Sequence, residues 1–120
     1  MNRWVLLEHK VYFANSVDIH YDFLIENGID CLTWKLLKLP LLNQASIEIY
    51  KQPNHRLVWL SRIEHELSDN RGYVKRIDHG TFKNVSDKLD SKHCRLILDG
   101  ALLYGLFEIT ANSCRLTKIY

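Results

Sequence analysis

A chain of 120 residues can bury one hydrophobic core without staples but does not divide comfortably into two, so residues 1–120 are expected to form a single domain. Its hydrophobic fraction of 47% and charged fraction of 25% are those of a soluble protein, and no apolar run reaches the length of a membrane span. The net charge of +2 permits contact with nucleic acid without requiring it. Near the N-terminus, Trp4-Val5-Leu6-Leu7 is cut short by Glu8 and His9, too soon for a signal sequence. Cys31, Cys94 and Cys114 form no CxxC pair, and their odd number reads as reduced thiols. A cytoplasmic location is the expectation.

Short apolar segments, many alternating in period two, follow one another along the chain. They are Trp4 to Glu8, Ile19 to Glu26, Cys31 to Leu37, Ser46 to Lys51, Leu57 to Leu60, Tyr73 to Asp78, Cys94 to Leu98, Leu102 to Ile109 and Arg115 to Ile119. Between them stand turn signals: Asn27-Gly28, Pro40, Gln52-Pro53-Asn54, Asp69-Asn70-Arg71-Gly72, His79-Gly80 and Asp99-Gly100. This pattern predicts a mainly β protein, a compact antiparallel β-barrel-like single domain. Short helices or turns are expected around Leu36 to Asn43, Ile63 to Leu67 and Val85 to Leu89. Tyr21, Phe23, Trp34, Leu96, Leu98 and Phe107 are the expected core residues.

Within the second segment, Ile19-His20-Tyr21-Asp22-Phe23 places His20 and Asp22 on one face of a strand, with Leu24 and Glu26 beyond them. Tyr21, Phe23 and Ile25 take the opposite face. An imidazole beside a carboxylate suits Zn²⁺, Mn²⁺ or Fe²⁺. A His-x-Asp pair also arises by chance on a solvated strand, and with a distal histidine such as His55 it would make the facial triad of an iron oxygenase.

Further blocks carry a resemblance. Arg3-Trp4-Val5-Leu6-Leu7-Glu8-His9 is similar to R-[FY]-V-[VI]-Q-[EK]-H, and Ile19 through Glu26 to L-H-Y-D-F-R-L-E. Leu32 through Pro40 resembles L-x-S-W-A-V-P-K-G-P, and Asn54-His55-Arg56-Leu57-Val58-Trp59 resembles D-H-P-L-x-Y. Gly72 through Phe82 is similar to G-T-V-x-x-W-D-x-G-T-[WF], and Leu96 through Phe107 to F-x-L-x-G-x-x-L-x-G-x-[WF]. In this order they resemble the 3′-phosphoesterase module that precedes the ligase domain in bacterial ligase D proteins and also occurs alone.

The resemblance implies a small barrel-like fold and a divalent metal, preferably manganese, held by His9, His20 and Asp22. The connection between the two histidines is longer here by Lys10 through Asp18; leaving His9 out would put Ala14, which cannot bind metal, at its position. His55 matches a histidine on the phosphate side and Lys38 an active-site lysine, whereas Trp59 replaces a tyrosine and its hydroxyl. His65, His79 and His93 match no site position.

The implied function is metal-dependent removal of 3′-phosphates or 3′-ribonucleotides from DNA ends during repair, beside a DNA ligase. Two phosphate-binding arginines are missing: one position is Leu24, the other falls near Ser46 or Ile47. Their loss is expected to weaken phosphate binding, with Arg56, Arg62, Arg71 or Lys75 as possible compensation. Restoring arginine at Leu24 is then expected to raise activity. The alternative is a non-catalytic module on the same fold that binds nucleic acid or a repair partner.

Overall fold

Period-two alternation and short hairpin turns bring together nine strands, described in a computed structural model for residues 2–67, 71–90 and 92–119. They are β1 (Arg3–Phe13), β2 (Ser16–Asn27), β3 (Asp30–Leu36), β4 (Ile47–Arg56), β5 (Glu64–Glu66), β6 (Tyr73–Asn84), β7 (Cys94–Asp99), β8 (Tyr104–Ile109) and β9 (Ser113–Thr117). Neighbours pair antiparallel in the order β1-β2-β3-β4-β9-β8-β7-β6, and β1 pairs with β6 to close an eight-stranded barrel. Closure removes the exposed sheet edges that an open sheet would leave. β5 lies outside the ring, added to the start of β6.

The barrel is filled by inward side chains, among them Trp4, Leu6, Phe23, Ile25, Trp34, Ile49, Leu96, Leu98 and Phe107. Five of the six expected core residues are therefore buried; Tyr21 is half-buried and packs against the core from β2. A second apolar cluster forms on the outer wall. Val5, Leu7, Leu24, Cys31, Leu60 and Val74 are buried there, with Leu57, Trp59 and Leu67 packed against them. Trp4 to Leu7 and Phe23 to Ile25 are thus apolar without alternation because both faces of those strands are covered.

Four local expectations are corrected. Leu57–Leu60 forms a 3-10 turn instead of a strand, and its Leu60 caps the outer cluster. Within Ile63 to Leu67 the chain forms β5, held to β6 through Glu64↔Lys75 and Glu66↔Tyr73. Gln52-Pro53-Asn54 lies inside β4, where Pro53 sits in a bulge that relieves it of ladder pairing. His79-Gly80 lies inside β6, not in a turn. The segments around Leu36 to Asn43 and Val85 to Leu89 are mostly irregular, and the predicted turn at Asp69-Asn70 falls outside the described residues.

Asp78, Gly80 and Gly100 serve packing. Asp78 is buried and its carboxylate accepts backbone N–H groups from His79 (2.9 Å), Ala101 (3.1 Å), Leu102 (2.8 Å) and Leu103 (2.7 Å). It ties β6 to the β7–β8 turn. At Gly80 a Cβ would stand 1.8 Å from the Asp99 carbonyl oxygen, and at Gly100 2.5 Å from the Trp4 ring, so neither site accepts a side chain. No helix among the described residues is long and apolar enough to cross a membrane.

Candidate metal centre

The site grows from the register of one long hairpin. β1 and β2 pair from Trp4↔Ile25 out to Phe13↔Ser16, which sets His9 directly opposite His20 and Leu7 opposite Asp22. Lys10 through Asp18 extend both arms of the hairpin and its turn, and the pairing stays in register from Trp4↔Ile25 to Phe13↔Ser16. Three donors meet on the outer face. His9 Nδ1 lies 3.1 Å from His20 Nε2 and 4.0 Å from Asp22 Oδ2, and His20 Nε2 lies 3.4 Å from Asp22 Oδ1.

Donors at these separations could hold a metal ion. Bonds of about 2.1 Å at tetrahedral or octahedral angles put neighbouring donors about 3.0 to 3.4 Å apart; the His9–His20 and His20–Asp22 Oδ1 separations fall in that range, whereas His9 stands 4.0 Å from the other carboxylate oxygen, Oδ2, and has to approach. The donor atoms already lie within 4.8 Å of one another, and Asp22 is buried while both histidines are half-buried. His9 is also oriented from behind: its Nε2 lies 2.7 Å from the carbonyl oxygen of Arg71. A carbonyl can only accept, so Nε2 carries the proton and Nδ1 presents its lone pair, which accepts from His20 Nε2–H at 3.1 Å; a bound ion would take the place of that bridging proton. The group could therefore hold a metal ion, with two imidazoles and one carboxylate leaving coordination positions for water or substrate.

Beside the donors runs a cleft of about 390 Å³, lined by Leu7, His9, Asp22, His55, Arg56, Trp59 and Arg71 among others. His55 reaches it through the β4 bulge. Thr33 pairs with Gln52 and Cys31 with His55, so two residues of β4, Pro53 and Asn54, stand against Leu32 alone. The extra residue shifts the alternation and turns His55 to the face of Cys31, where the regular pattern would have sent it inward. His55 Nδ1 lies 3.1 Å from the Pro53 carbonyl oxygen, to which it donates; Nε2 is left as an acceptor.

Trp59 packs edge-on to His65 at 5.4 Å between ring centroids and lies 6.4 Å from the His55 ring. Arg62 covers Trp59, its guanidinium carbon 4.7 Å from the ring centroid. His65 is thereby a packing residue, whereas His79 and His93 are exposed. Of the candidate compensating cations, Arg56 and Arg71 line the cleft. Lys38 lines a different cleft with Tyr21, Leu39, Ser46 and Ile47. It is not brought to the metal-capable group.

Leu24 shares the strand face of His20 and Asp22, as expected, but it is completely buried in the outer cluster. A guanidinium there would have to enter apolar surroundings, so an arginine at this position is not expected to reach a phosphate in the cleft. The Arg71 carbonyl is the contact that sequence reading missed, because a backbone acceptor leaves no side-chain signature.

No family model matches the chain, and no curated protein matches it significantly.

Proposed function

We propose that this chain is a divalent-metal-dependent phosphoesterase acting at the 3′ ends of DNA, removing a 3′-phosphate or a 3′-ribonucleotide. The observation that supports it most is the meeting of His9, His20 and Asp22 at a cleft that His9 and Asp22 line together with His55, Arg56 and Arg71. Manganese is our assignment for the ion, carried by the family resemblance, since this donor set accepts several first-row metals. When bound, such an ion supplies Lewis acidity toward a phosphoryl oxygen and lowers the pKa of water.

The protein groups divide the remaining work. Arg56 brings positive charge to the cleft for a phosphate oxygen. His55, with Nδ1 committed to Pro53, offers Nε2 for proton transfer as the oxygen of water bonds to phosphorus and the bond to the 3′ oxygen breaks. Leu7 and Val74 give the cleft an apolar wall that limits water beside the reacting phosphate. The products are a 3′-hydroxyl end, which a cytoplasmic DNA ligase partner can seal, and inorganic phosphate or the released nucleoside phosphate.

Incubation with Mn²⁺ and labelled primer-templates bearing each 3′ end tests this reading. Metal-dependent product formation that disappears in Asp22→Ala, and falls about 10²- to 10⁴-fold in His55→Ala, is the expected result. The burial of Leu24 favours one alternative, a non-catalytic module that binds nucleic acid or a repair partner. DNA binding without turnover under any divalent metal would select it.

A further inference from the structure

We infer that Gly72 is a positioning residue for the metal-capable group, acting through the carbonyl of the residue before it. The inference rests on the metal-centre reading. Gly72 adopts φ +105°, in the left-handed region, immediately before β6 begins at Tyr73. There β6 pairs tightly with β1 through Lys10↔Tyr73 and His9↔Val74. A Cβ on Gly72 would lie 2.1 Å from the Lys10 carbonyl oxygen and 3.2 Å from His9 Nε2. Only a residue without a side chain lets the backbone pass this close.

The consequence is chemical. The close passage sets the Arg71 carbonyl 2.7 Å from His9 Nε2, which holds the proton on Nε2 and leaves the Nδ1 lone pair facing His20 Nε2 and Asp22. A free imidazole would exchange its proton between both nitrogens and rotate; this one is fixed in both respects before an ion arrives. Gly72 thereby raises metal affinity without touching the metal.

Two measurements test it. In ¹⁵N-labelled wild-type protein, long-range ¹H–¹⁵N correlation should find His9 in the Nε2–H form without metal; an Nδ1–H form overturns the inference. Mn²⁺ titration by calorimetry should show Gly72→Ala binding 10- to 100-fold more weakly, with a native circular dichroism spectrum and His9 no longer held in one tautomer. A folded Gly72→Ala protein with wild-type affinity overturns it. If the variant does not fold, the wild-type tautomer decides. Wild-type protein that binds neither Mn²⁺ nor Zn²⁺ defeats the metal-centre reading and this role with it, whereas normal wild-type binding with the wrong tautomer defeats this role alone.

Discussion

Asp78→Ala should be among the most destabilising substitutions in the chain, although Asp78 stands in a block that resembles a phosphoesterase signature. Its carboxylate accepts four backbone N–H groups, at 2.7 to 3.1 Å, and three come from the consecutive residues Ala101, Leu102 and Leu103. Hydrogen bonds to a charged acceptor contribute about 1.5 to 3 kcal/mol each when removed singly, but the four share one side chain and do not add. Leu103 is fully buried, so its amide has no route to water while the turn keeps its place. About 3 to 5 kcal/mol is the expected loss, a large part of a typical domain's stability. Asp78→Asn retains one acceptor oxygen but turns an NH₂ donor toward the two amides that the other oxygen served, so it should recover little of the loss. Urea unfolding followed by tryptophan fluorescence measures both, and hydrogen exchange should find Leu102 and Leu103 the most accelerated amides. A loss below about 1 kcal/mol for Asp78→Ala would refute the assignment of this carboxylate to the turn.

Leu24→Arg should cost about 3 kcal/mol or more, because it places a charge and extra volume in the outer cluster; increased phosphatase activity in a stable variant would contradict the packing described. Arg3 donates to both carboxylate oxygens of Glu26 at 3.1 Å and holds that carboxyl at about 2, below its ordinary 4.5. The pair therefore stabilises the folded state above pH 4.5, and this contribution is lost as pH falls toward 2. Because Arg3 is exposed the gain is under about 1 kcal/mol, and Glu26→Gln should flatten the acid limb of a stability–pH curve; an unchanged limb would remove the pair from the account. Burial pushes the Cys94 and Cys114 thiols up to about 12 and Cys31 to about 11. A disulfide reagent at pH 8 should leave all three unmodified in native protein and label all three in denaturant, and rapid native labelling would contradict their burial.

What could be read from the sequence followed from local rules. Alternation and turn residues were enough for a closed antiparallel barrel, and the His20-x-Asp22 spacing put two donors on one face. His9 joined them because a hairpin can lengthen at its tip without changing the pairing at its base. The harder features depend on distant partners. Leu57 to Leu60 reads as a strand by composition, yet it folds as a turn to cover Val5, Leu7 and Leu24. That covering segment makes Leu24 a core residue instead of a solvent-facing one. Pro53 hinted at a turn when its role was a bulge, and the bulge decides which face receives His55. Lys38 matched by order along the chain, but the bend after β3 carries it to another cleft.

Manganese-induced broadening of a ¹H–¹⁵N spectrum tests the metal centre most directly, since the paramagnetic ion erases signals near wherever it binds. At substoichiometric Mn²⁺ losses should centre on Leu7 to His9, His20 to Asp22 and the adjoining Arg71 to Val74, all abolished by Asp22→Ala. Broadening centred instead on the exposed acidic residues Glu64 and Glu66, or a spectrum unchanged by the ion, would contradict a metal site at His9, His20 and Asp22.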